Sequence, residues 1–124
     1  MIINYKGLVE KEIGGKTIHF KFNMAAITLL NKIQGGGFRE FSEQLQNPRF
    51  DTFESFLYAG AETAYAQDGK NSDKEGKRIF KREDASDWLN ELGLDGAGSL
   101  YIQAFEVPET KNENPPSGTE ENSN

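Results

Sequence analysis

From Asp51 to Gln67 the chain reads DTFESFLYAGAETAYAQ, and Phe53, Phe56, Leu57, Gly60, Ala61, Ala64 and Tyr65 recur at i, i+3, i+4, i+7, i+8, i+11 and i+12. That spacing places them on one face of an α-helix. The face is bulky in its first half (Phe53, Phe56, Leu57) and small in its second (Gly60, Ala61, Ala64). The small half invites close approach by a neighbouring helix or strand. Such an approach accounts for a glycine that costs about 1 kcal/mol of helix propensity relative to alanine. Asp51 is placed to cap the first turn, and Glu54 follows at capping-box spacing. The pattern predicts a buried central helix on which the other elements pack.

Before it, residues 2–22 alternate as a β-hairpin. In the first arm, Tyr5 to Ile13, Tyr5, Val9 and Ile13 face one way and Lys6, Glu10 and Glu12 the other, with Leu8 out of register. Gly14 and Gly15 supply a tight turn. The second arm sets Ile18, Phe20 and Phe22 against Thr17, His19 and Lys21. Asn23 then caps a helix over 24–34 that buries Ala26, Ile27, Leu30 and Ile33, and Gly35 to Gly37 close it. A short helix over 38–46 carries Phe38, Phe41 and Leu45 on one side and stops at Asn47-Pro48. Residues 68–77 read as a flexible polar surface loop. A helix over 82–92 turns Ala85, Trp88, Leu89 and Leu92 inward and ends at Gly93. The last, over 97–105, aligns Ala97, Leu100, Tyr101, Ala104 and Phe105. The expected class is α+β, mainly α: an N-terminal β-hairpin followed by about five helices.

The chain has 124 residues, of which 35% are hydrophobic. This length suits one domain, over 1–107. Residues 108–124 contain no aliphatic or aromatic side chain, and Glu109, Glu113, Glu120 and Glu121 face only Lys111. Such a segment cannot offset its chain entropy by burial and is expected to be a disordered acidic tail. The formal net charge of −6 argues against non-specific nucleic-acid binding. The one basic run, Lys70, Lys74, Lys77, Arg78, Lys81 and Arg82, is interrupted by Asp68, Asp73, Glu75, Glu83 and Asp84 and reads as a solvated mixed-charge loop. There is no cysteine, which excludes disulfides, thiolate metal sites and thiol catalysis. No apolar run reaches the ~20 residues that span a bilayer. The start MIINYKGLVEKE shows no signal-peptide pattern. A cytoplasmic protein with no membrane partner is expected.

Candidate chemistry is sparse. His19, the single histidine, lies on the polar face of a strand and reads as a surface residue. Gly35 to Gly37 follow a helix and lead into Phe38-Arg39, without the Lys-Ser/Thr of a phosphate loop. Residues 68–76 put Lys70 and Asp73 where a calcium loop needs an oxygen ligand and a glycine. Glu83, Asp84 and Asp87 sit where a helix dipole favours carboxylates, which explains them without a metal. No serine or threonine occupies a nucleophile-elbow setting. These readings predict a non-enzyme with no catalytic residue, no metal and no cofactor. Five of nine phenylalanines, Phe38, Phe41, Phe50, Phe53 and Phe56, crowd into residues 38–56. Phe38, Phe41 and Phe50, on a short glycine-hinged segment, and Tyr58 are the candidate partner-contact residues. Core packing is the competing role for each.

The pieces IGGKTIHFKFNMAAI, LYAGAETAY and REDASDWLNELG follow one another between residues 7 and 105. In that layout the chain resembles the tail assembly chaperones of long-tailed bacteriophages and related gene transfer agents. The resemblance implies a protein made in the bacterial host cytoplasm and absent from the finished virion. It implies two partners, the tape measure protein, which is bound, and the tail-tube protein, which is recruited around it. It also implies that an extended form can arise by ribosomal frameshifting near the end of the reading frame. The family offers no invariant binding residues to carry over, so the four aromatic candidates rest on chemistry alone. A helical client lying in an apolar groove is the mode that chemistry suggests. The alternative class is a small peptide- or ligand-binding regulatory protein of cellular origin.

Overall fold

Gly14 and Gly15 take φ of 58° and 79°, values that favour glycine, and turn the chain between strands β1 (Leu8–Ile13) and β2 (Lys16–Lys21). The computed structural model describes residues 8–105. Tyr5 and Lys6 of the expected first arm and the expected tail over 108–124 lie outside the described residues. The strands pair antiparallel from Leu8↔Lys21 to Ile13↔Lys16. Ile18, Phe20 and Phe22 are buried as their alternation requires, although the strand itself ends at Lys21.

Among the described residues four helices follow: α1 (Met24–Gln34), α2 (Phe38–Gln46), α3 (Phe50–Asp68) and α4 (Asp84–Phe105). The Asn23 side chain caps α1 by accepting from the Ala26 N–H at 3.2 Å. The protein is thus α+β and mainly helical. The pattern suggests about five helices, and there are four because residues 84–105 continue as one element. Gly93, at φ 75° and ψ 167°, is non-helical, so the helical turns are interrupted there as the pattern predicts and resume beyond a kink.

The central helix is the most buried, with Phe56, Leu57, Ala59, Gly60, Ala61 and Ala64 enclosed. It packs against β2, α1 and α4 at once, so Thr52, Ser55 and Thr63 are buried as well. Those hydroxyls are satisfied internally. Thr63 donates to the Ala59 carbonyl at 2.8 Å, and the Ser55 oxygen accepts from Gln34 Nε2 at 2.8 Å and Arg82 Nη2 at 3.1 Å. The helix begins at Phe50, one residue earlier than the pattern suggests. Thr52 Oγ1, not the Asp51 carboxylate, closes the first turn by accepting from the Arg49 N–H at 3.1 Å. Asp51 instead pairs with Arg49, and Glu54 accepts from Ser86. The close approach expected at Gly60 is present, but its neighbour is the Phe22 ring rather than a second backbone. A Cβ at Gly60 would lie 2.3 Å from Phe22 Cε1.

Residues 68–77 are not the loose loop their polarity suggests. Asn71 is buried, and its side chain accepts from the His19 N–H at 2.8 Å and donates to the carbonyls of His19 at 2.9 Å and Ala61 at 3.1 Å. One amide therefore closes the open edge of β2 as a third strand would. Asp73 spends its carboxylate on the N–H groups of Glu75 and Lys77, each at 2.9 Å. His19 is correspondingly half-buried, with Nε2 3.7 Å from the cross-strand Glu10. Asn71→Ala strands the His19 N–H and carbonyl and is expected to cost about 1–3 kcal/mol, read from the urea midpoint.

Candidate docking groove

Pro48 lies in the three-residue α2–α3 connection, and Phe50 opens α3. The kink at Gly93 brings Leu94 to the same place. Beyond it Leu94, Gly98, Tyr101, Ile102 and Phe105 recur at i, i+4, i+7, i+8 and i+11, one stripe of the second half of α4. Between this stripe, the end of α2 and the start of α3 runs a set of adjoining open depressions. One of about 400 Å³ is lined by Leu45, Gln46, Pro48, Phe53, Gly98, Tyr101, Ile102 and Phe105. A second, of about 490 Å³, shares Pro48 and Phe53 and adds Arg49, Phe50 and Leu94. A third, of about 610 Å³, shares Leu94, Gly98 and Ile102 and adds Asp95, Ser99 and Gln103. Phe50 and Ile102 are each 65% exposed and Leu94 53%. Apart from its chain neighbours and its own helix backbone, nothing lies within 4 Å of where a Cβ at Gly98 would stand, so the floor of the groove is open there.

Tyr101 anchors this floor. Its ring meets Phe53 at 5.3 Å, Phe56 at 5.0 Å and Phe105 at 4.8 Å between centroids. Its hydroxyl donates to the Leu45 carbonyl at 2.8 Å, in the last turn of α2, where carbonyls lack helical partners. Burial pushes the hydroxyl well above the usual phenol range, so it stays protonated and keeps donating. The folded chain therefore holds this proton where the unfolded chain releases it. Its contribution is complete below the unfolded tyrosine value of about 10 and falls as pH rises beyond that. Tyr101→Phe is expected to cost about 1 kcal/mol at neutral pH and to flatten the alkaline loss of stability, measured by urea unfolding across pH.

Of the four aromatic candidates, the structure places only Phe50 in the groove. Phe41 is 7% exposed and belongs to the core, which corrects its reading as an accessible contact: α2 packs that position inward. Phe38 is 86% exposed at the far end of α2 from Leu45 and does not line the groove. Tyr58 is half-buried on another side, its ring against Phe80 at 5.9 Å and under the Arg82 guanidinium at 5.3 Å. Arg78, from the basic run, grips Glu62 through two hydrogen bonds of 2.9 and 2.8 Å and stacks on Tyr65 at 4.6 Å. Leu94, Gly98 and Ile102 complete the site. Their helical spacing is visible in the sequence, beside the stripe that enters the core.

The titratable side chains that line the groove are Arg49, Asp95 and Tyr101. Among the described residues no group of three or more His, Cys, Asp or Glu is placed to hold a metal ion. No helix there is long and apolar enough to cross a membrane. Asp84 accepts from the Lys81 N–H at 2.9 Å at the start of α4, a structural use for one of the three clustered carboxylates. No protein-family model, curated protein or solved structure matches the chain. What the groove offers is a mainly apolar surface. Leu94 to Ile102 extends about 12 Å, two turns.

Proposed function

We propose that this protein is a tail assembly chaperone of the kind found in long-tailed bacteriophages. In this reading it acts in the bacterial host cytoplasm, holds helical segments of the tape measure protein in the groove between α2, α3 and α4, and yields them to tail-tube subunits. The observation that supports the reading is the exposure of Phe50, Leu94 and Ile102 around an open apolar floor. The sequence resemblance supplies the client, and the groove supplies the surface. Complete burial of a large apolar side chain is worth about 1.5–3 kcal/mol. Three partly exposed ones, less the cost of immobilising the client, give the modest affinity that a displaceable chaperone needs.

Co-expression with the tape measure protein from the same genome tests this. The chaperone is expected to raise the soluble yield of the client and to co-purify with it. Phe50→Ser combined with Ile102→Ser, both at exposed positions, removes this effect and leaves helical circular dichroism intact. The complex persists at about 0.5 M salt, because screening acts on charges and not on apolar contact. Failure of the intact protein to bind or solubilise the client overturns the reading.

A further inference from the structure

Two charged side chains line the groove, Asp95 and Arg49, and acidic residues surround them. Helix α4 has no Lys or Arg across its 22 residues, and of its four carboxylates, Asp84, Asp87, Glu91 and Asp95, only Asp95 lines the groove. Asp95 borders the apolar floor beside Leu94, Gly98 and Ile102, and among the described residues it takes part in no ion pair. Across the groove, α2 ends at Leu45 and Gln46 with no basic residue in its last turn. The negative end of its dipole is met by the Tyr101 hydroxyl and by no cation in its last turn. Glu40 and Glu43 lie in the adjoining surface depression. The one cation on the groove wall, Arg49, is already held by Asp51 at 3.2 Å.

Resting on the groove reading above, we infer that the occupant is an amphipathic helix whose apolar stripe is flanked by Lys or Arg. The aliphatic stems of such residues extend the apolar contact while their charged ends reach the acidic rim. Apolar burial supplies the affinity, and the rim supplies orientation and choice of partner. The chain's own residues 106–124 suit this groove poorly. They carry Glu106, Glu109, Glu113, Glu120 and Glu121 against Lys111, and Val107 is their only aliphatic side chain. A second copy presenting the same groove would set two acidic rims against each other.

Two labelled helical peptides with the same Leu/Ala stripe, one flanked by Lys and one by Glu, are titrated against the full chain by fluorescence anisotropy. At low salt the Lys peptide is expected to bind about tenfold more tightly, and at about 0.5 M salt the gap closes to about threefold or less. Asp95→Asn narrows the low-salt gap. Gly98→Gln, whose side chain enters open space, abolishes binding of the Lys peptide, with circular dichroism reporting an intact fold. Equal affinity for both peptides, each lost in Gly98→Gln, or a preference for Glu, overturns the charge inference and leaves the groove reading standing. If neither peptide binds, or if Gly98→Gln changes nothing, the groove reading falls and this inference with it. Self-association that Gly98→Gln abolishes, without peptide binding, assigns the groove to a second copy and also overturns the inference.

Discussion

Phe56→Ala is expected to destabilise the protein by about 3–5 kcal/mol, the range for emptying a fully buried phenylalanine site. Phe56 is 1% exposed and its ring is the hub of the core. It stacks on Phe22 at 4.2 Å and 5° between planes, and meets Tyr101 edge-on at 5.0 Å and Phe105 at 5.9 Å. Deleting it leaves a void between the exit of the hairpin and the second half of α4, and neither can close on the other without disrupting the groove floor. A domain of this size has about 5–15 kcal/mol in total, so the variant is expected near or past the edge of folding. Urea unfolding gives the value. A loss below about 1 kcal/mol would contradict the aromatic stack as the centre of the fold.

Gly60→Leu is expected to cost about 3 kcal/mol, by overpacking. Gly60→Ala is the sharper comparison, because helix propensity alone would make it stabilising by about 1 kcal/mol. Sterics decide the sign. The new Cβ would stand 2.3 Å from Phe22 Cε1 and 2.8 Å from Cζ, and Phe22 cannot retreat because Phe56 is stacked on it. Gly60→Ala is therefore expected to destabilise, and Phe22→Leu in the same chain to recover part of the loss as a coupling energy between touching residues. A neutral Gly60→Leu would show that the close approach is not a constraint.

These two residues also show what the sequence makes legible. The period of the Asp51–Gln67 stripe identified the buried face and the tight contact at its small half. Alternation identified the inward set Ile18, Phe20 and Phe22, and the Gly14-Gly15 pair marked the turn. What pattern reading missed has particular causes. Thr52, Ser55 and Thr63 look like a solvent face, and they are buried because α3 is enclosed on several sides, a property of the assembly rather than of the helix. Asn71 sits in a run of polar residues, and nothing local separates it from Asn90 on an exposed face. Only the unpaired edge of β2 and the Ala61 carbonyl of α3, brought together by folding, give its amide three partners. Gly93 interrupts the helix as its composition suggests, but the chain resumes helical turns directly after it, and that continuation, which delivers Leu94 to the groove, is not legible locally. Phe38, Phe41 and Leu45 share helical spacing on α2, but the end of that helix carrying Phe38 projects into solvent while Phe41 packs inward. The groove draws on three helices, so of its exposed lining only Phe50 stood out in one dimension.

The most direct test of the groove account is calorimetric titration of a helical segment of the tape measure protein into the wild-type chain and into Gly98→Gln. The account predicts saturable binding to the wild type with the negative heat-capacity change of apolar burial. It also predicts at least about tenfold weaker binding to Gly98→Gln, whose added side chain occupies the groove floor at no cost to the fold. Equal binding by the two proteins would contradict the groove as the docking site, and absence of binding by the wild type would contradict the proposed function.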